Sequence, residues 1–131
     1  MKSTRAYTIA ACLFLFSVTL SALGYFGLQL FVTHPLFDVF PHFISGLSFG
    51  LGAVEFLVQR NGGVYTQKQG RAAVLFTFLV AGVAWEIYEI FTNQAGYVLW
   101  TLAYYVDTLK DIVMGVGGAI VAVLIYERSV K

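Results

Sequence analysis

An all-α integral membrane bundle of four transmembrane helices, with both termini on the cytoplasmic side, is the fold class this sequence predicts. Three observations predict it. The 131 residues are 59% hydrophobic and only 11% charged, with a mean hydropathy of +0.78, so polar surface is too scarce to cover a soluble globule. Four apolar stretches are each long enough to cross roughly 30 Å of hydrocarbon at about 1.5 Å per helical residue. The bases outside those stretches all fall in segments that an up-and-down bundle brings to one side.

The first helix is expected over about 7–32, a run without a charge. Lys2 and Arg5 precede it, and Ala22-Leu23-Gly24 resembles a signal-peptidase site, so a cleaved leader is the rival reading. The apolar stretch continues past that site to Val32 and is as a whole longer than the roughly 7–15 residues of a signal core, which favours an uncleaved span. Cys12 lies inside this run with no second cysteine to pair with and reads as a small apolar side chain. The second helix is expected over about 39–59, the third over 72–91 and the fourth over 104–126, with no room between them for a soluble domain. The chain therefore reads as a single transmembrane domain, 1–131.

Orientation follows from Lys2 and Arg5 before helix one, Arg60, Lys68 and Arg71 between helices two and three, and Arg128 and Lys131 after helix four. Such bases are retained on the cytoplasmic side, which sets both termini inside the cell membrane. Tyr97, Trp100, Tyr104 and Tyr105 then form an aromatic belt at the outer interface. A net charge of +1 gives no argument for nucleic acid as a partner.

The acids show the opposite bias. Asp38, Glu86, Glu89, Asp107 and Asp111 belong to the outer half, with His34 and His42, while Glu55 and Glu127 belong to the inner half. Within each helix the outer polar residues recur three or four apart and so share a face: Asp38 and His42; Glu86, Glu89 and Asn93; Asp107 and Asp111. Continued inward, those faces carry Gly46 and Gly50, Gly82, and Gly115, Gly118 and Ala122, small residues that let membrane helices approach. Ser17, Ser21 and Gly24 offer helix one a similar stripe. The acids are thus expected in the bundle interior.

Five outer carboxylates face Lys110 and a histidine, and several unpaired like charges in a poorly solvated site cost several kcal/mol each. A bound divalent cation is the simplest neutralising partner. Carboxylate oxygens with one imidazole suit Mg²⁺, Ca²⁺, Mn²⁺, Zn²⁺ or Fe²⁺. The expected ligands are His42, Glu86, Glu89, Asp107 and Asp111, with Glu86 or Glu89 as a catalytic base. Neither the His-Glu-x-x-His of zinc peptidases nor the Glu-x-x-His of di-iron bundles is present. The Gly-Val-Gly-Gly run at 115–118 has no preceding strand and is not a dinucleotide fingerprint. Plainer readings stand beside these: Asp38 as the N-cap of helix two ahead of Pro41, Asp107 as a cap or a partner of Lys110, His34 as a loop residue, and Glu55 as an interfacial partner of Arg60 or Arg71.

Asp38 with Pro41-His42-Phe43 and Gly46, then Trp85-Glu-Ile-Tyr-Glu89, then the segment 106–119 (VDTLKDIVMGVGGA), occur in an order that resembles the small VanZ-like and YjdF-like bacterial membrane proteins. The resemblance covers about Phe37 to Ala119 and omits helix one. It implies a multipass protein of four or five helices whose acidic motifs matter, carried here onto His42, Glu86, Glu89, Asp107 and Asp111. Two departures make this chain the more acidic: Glu86-x-x-Glu89 stands where VanZ-like proteins show Glu-x-x-Gln, and Gly115 stands where they show Asn.

The functional expectation is an outer-facing site that binds a divalent cation and acts on a lipid-linked or cell-envelope substrate. Two alternatives come from other classes: a proton- or ion-coupled transport component, and a non-enzymatic helix-packing subunit of a homo-oligomer or membrane complex. The transport reading requires polar residues to continue inward, where the same faces carry glycine, alanine and large apolar side chains.

Overall fold

A computed structural model describes residues 3–24, 34–92 and 98–130, in which helices joined by short turns are found and no strand occurs. Helix α1 covers Ser3–Ala22, a 3₁₀ turn at Pro35–Asp38 leads into α2 at Val39–Arg60, and α3 covers Gln67–Thr77. A π-helical segment, Phe78–Val83, joins α3 to α4 at Ala84–Thr92, and α5 runs over Leu102–Val130. Among the described residues, four helical stretches are long and apolar enough to cross a membrane: Arg5–Ala22, Leu36–Arg60, Gln67–Ile87 and Leu102–Val130. The part of the first expected helix beyond Gly24, up to Val32, lies outside the described residues, as do Asn93 and Tyr97.

Local signals set the ends. Gly62 and Gly63 adopt φ of 70° and 81°, and the Gly63 N–H donates to the Val58 carbonyl at 2.9 Å, so the chain leaves α2 through the left-handed conformation that glycine tolerates. Thr66 opens α3 with a capping-box contact, its backbone N–H donating to Gln69 Oε1 at 2.6 Å. Gln69 Nε2 donates in turn to the Leu57 carbonyl at 3.1 Å and ties the turn to α2.

Helix α2 is the hub. On one side it packs antiparallel to α1, where Ala6, Ala10, Ser17 and Gly24 are buried along one stripe. Without a hydrophobic force between helices in lipid, close packing and interhelical hydrogen bonds must hold such a pair. Ser17 Oγ donates to the Pro41 carbonyl at 2.9 Å and lies 2.7 Å from Ser45 Oγ, while Ser48 Oγ donates to the Ala10 carbonyl at 2.7 Å. On its other side α2 packs parallel to α5, glycine against glycine: a Cβ built on Gly46 would strike the Gly115 backbone, one on Gly118 the Phe43 carbonyl, and one on Gly50 would lie 2.7 Å from Ala119 Cα. The third span runs antiparallel to both, with Gly82 facing Ile112 and Gly70 facing Val123.

Candidate functional site

The α2–α5 register builds the site. Gly46 meets Gly115 and Gly50 meets Ala119, a constant offset along two parallel helices. One turn toward the N-terminal ends, the same offset sets His42 against Asp111, and a further turn sets Asp38 beside Asp107. Because glycine removes every side chain from the turn below, the two backbones come close enough for the short Asp111 side chain to reach across to His42.

His42 Nε2 lies 3.4 Å from Asp38 Oδ1 and 3.5 Å from Asp111 Oδ2. Lys110 Nζ lies 3.7 Å from Asp38 Oδ2 and 3.4 Å from Asp111 Oδ1, and donates to Asp107 Oδ1. Burial deepens inward: the Asp38, Asp107 and Lys110 side chains keep 22–23% of their exposure, His42 11% and Asp111 only 3%. Three carboxylates against one lysine leave an excess of two negative charges when His42 is neutral. Asp111 Oδ1 is buried and has no hydrogen-bond partner among the described residues. The Lys110 ammonium 3.4 Å away is its ion-pair contact without a hydrogen bond, and a buried acceptor left without one costs about 1–3 kcal/mol.

One ligand atom from each of Asp38, His42 and Asp111 lies within 4.8 Å of the others, so these three could hold a metal ion. An ion bound tetrahedrally at about 2.0–2.1 Å sets its donors roughly 3.3–3.4 Å apart. The two His42–carboxylate separations, 3.4 and 3.5 Å, are of that size.

This set differs from the five residues expected from the sequence. His42 and Asp111 are brought together, and Asp38 joins them instead of capping: the Asp38 backbone is already helical at φ −58°, ψ −29°, and its side chain makes no cap hydrogen bond. Asp107 holds Lys110, one of the plainer readings the sequence allowed. Glu86, on α4, is not one of these three: it is buried against α5, where Thr108, one turn before Asp111, donates from Oγ1 to Oε2 at 2.7 Å. Glu89 belongs to α4, but its side chain lies outside the described residues. His34 is exposed ahead of the 3₁₀ turn. Trp85, which the sequence marks only as the first residue of the 85–89 motif, packs edge-on to His42 with centroids 6.2 Å apart. The π segment just before α4 sets the phase at which Trp85 and Glu86 emerge, since one extra residue turns the following helix by about 100°. Thr108 carried a usable signal, lying one turn before Asp111 on the same face.

At the opposite end, Glu55 departs from its expected interfacial placing. It is fully buried at the α2–α5 contact, where Tyr126 OH donates to Oε2 and Gln59 Nε2 to Oε1, each at 2.7 Å. The aromatic belt is partly in view: Trp100, Tyr104 and Tyr105 stack within 5.5–6.5 Å of one another at the start of α5, with Trp100 at a φ of 67°.

Fold and cluster together define a four-span helical membrane protein with an Asp/His/Lys cluster at one end of its central helix pair. The chain belongs to the family described as Predicted membrane protein (DUF2238), whose match covers residues 1–131. No curated protein and no solved structure matches it.

Proposed function

We propose that Asp38, His42 and Asp111 bind a divalent cation at the outer face of the cell membrane, in a protein whose two termini are cytoplasmic. The observation that carries this reading is Asp111 Oδ1, buried and without a hydrogen-bond partner among the described residues, with only the Lys110 ammonium 3.4 Å away, in a cluster that holds two carboxylates more than it holds lysines. A divalent cation held by these three would offset the excess negative charge and give Asp111 Oδ1 a direct ligand bond. Topology rests on the bases: Arg60, Lys68, Arg71 and Arg128 lie at the end of the bundle opposite the cluster.

The resemblance to VanZ-like and YjdF-like proteins and the placing of the cluster near the end of α2 support a lipid-linked or cell-envelope substrate approaching from the outer leaflet. Asp38, His42 and Asp111 would hold the cation, which when bound would supply Lewis-acid chemistry toward a phosphate ester or a water. Among the chain's own residues, Glu86 is the base we assign, kept buried and oriented by the Thr108 hydroxyl, and Trp85 fixes the His42 ring. Glu89 lies one turn further along α4.

A second reading has its own observation. Lys110 lies within 4 Å of all three aspartates, so the cluster would also serve as an ion-paired staple between α2 and α5 without a metal. Titration of detergent-purified protein with Mn²⁺, followed by loss of the free-ion electron paramagnetic resonance signal, separates the two. Saturable uptake of one ion per chain, abolished in Asp111→Asn and His42→Gln, is expected. Folded wild-type protein that leaves the free-ion signal undiminished would leave the staple as the account.

A further inference from the structure

The third span and α5 enclose a groove of about 700 Å³ at the end of the bundle opposite the aspartate cluster. Its walls are apolar, with Val74 and Phe78 on one helix facing Ile120 and Leu124 on the other. Its polar end is formed by Gln67, Arg71 and, on the facing wall, Glu127. Arg71 is exposed and makes no hydrogen bond or ion pair among the described residues. An unpaired guanidinium above an apolar trough is complementary to one class of molecule, an amphiphile with an anionic head.

We propose that this groove binds an anionic phospholipid, one acyl chain lying between α3 and α5 and the phosphate resting on the Arg71 guanidinium with the Gln67 amide beside it. The volume falls in the range of small-molecule sites, and the planar guanidinium can grip two phosphate oxygens at once. Charge at this end also favours an anionic head: Arg60, Lys68, Arg71 and Arg128 stand against Glu127 and the fully buried Glu55. The same surplus disfavours a second copy as the occupant, because a symmetric pair would bring two basic ends to the same level. The proposal is independent of any cation at the aspartate cluster.

Native mass spectrometry tests it, on protein released from micelles holding equal amounts of phosphatidylglycerol and phosphatidylcholine with identical acyl chains. The wild type should retain phosphatidylglycerol about fivefold over phosphatidylcholine, the effect of roughly one basic contact. Arg71→Gln should erase that preference, and Arg60→Gln, an equal loss of charge outside the groove, should keep it. Ile120→Trp, at a position 45% exposed and so tolerant of bulk, should lower retention of both lipids. Three results would overturn the proposal: no preference in the wild type, an equal effect of Arg60→Gln and Arg71→Gln, or a protein dimer that Ile120→Trp dissociates.

Discussion

Gly46→Ala should be among the most damaging single-methyl additions in this chain. The added Cβ would sit 2.6 Å from the Gly115 carbonyl carbon and 2.8 Å from its Cα. Non-bonded carbons rest at about 3.5–4.0 Å, so α2 and α5 must part by roughly 1 Å. The obstacle is backbone, which cannot rotate away as a side-chain tip can. Overpacking costs about 1–3 kcal/mol where neighbours can adjust, and the upper end applies here. Gly117 and Gly52 are built-in controls: among the described residues a Cβ at Gly117 meets only Phe43 Cε2 at 4.0 Å, and one at Gly52 only Ala10 Cβ at 3.9 Å. Alanine there should be neutral or stabilise by up to about 1 kcal/mol through helix propensity. The assay is unfolding in mixed micelles by added SDS, read by circular dichroism. Since His42 and Asp111 lie one turn from the Gly46–Gly115 contact, Gly46→Ala should also weaken divalent-cation uptake where Gly117→Ala does not. Equal stability of the Gly46 and Gly117 variants would refute the close α2–α5 packing on which the site rests.

Tyr126→Phe removes a hydrogen-bond donor from the fully buried Glu55 carboxylate and should destabilise by about 1.5–3 kcal/mol in the same unfolding assay, with much of that loss recovered in the Glu55→Leu/Tyr126→Phe double variant; no loss from the single change would mean the contact is not made. Ser17→Ala deletes contacts to Pro41 and Ser45 and should cost only about 0.6 kcal/mol, the usual worth of such bonds between membrane helices; a loss several times larger would mean that α1 docking depends on it. Lys110→Met removes the cation that competes for Asp38 and Asp111, so divalent-cation affinity should rise about tenfold, equivalent to ~1.4 kcal/mol, in a metal titration; a fall in affinity would assign the lysine to the site's assembly instead. In a Cys12→Ser background, Asn61→Cys should react with an impermeant maleimide only from the cytoplasmic side and Thr101→Cys only from outside; the reverse pattern would invert the topology.

The four spans were legible because crossing a bilayer demands a length of apolar helix that few other structures need. The level of the cluster was legible as well, since polar pairs and glycines at three- and four-residue spacing mark single faces of α2 and α5. What the spacing could not give was partner choice. Asp38 as a cap and Asp38 as a site residue have the same sequence, and the continuous 3₁₀-to-α backbone across 35–39 decides between them. Glu86 shares an outer level with His42, yet α4 turns it toward Thr108, a phase set by a π segment that no motif announces. Glu55 read as interfacial for the same reason: only the parallel pairing of α2 with α5 shows that Tyr126 reaches it. Where two faces meet at a fixed offset of glycines, the partners of every turn above and below follow, and that offset is a property of the packed pair.

Elemental analysis of purified wild type and Asp111→Asn, after identical dialysis, tests the central claim most directly. The account predicts about one equivalent of divalent metal in the wild type and its loss in Asp111→Asn at unchanged helical content, since the substitution keeps the side chain's shape and removes its charge. Equal metal in both, or none in a folded wild type dialysed against the metal, would contradict a cation site at Asp38, His42 and Asp111.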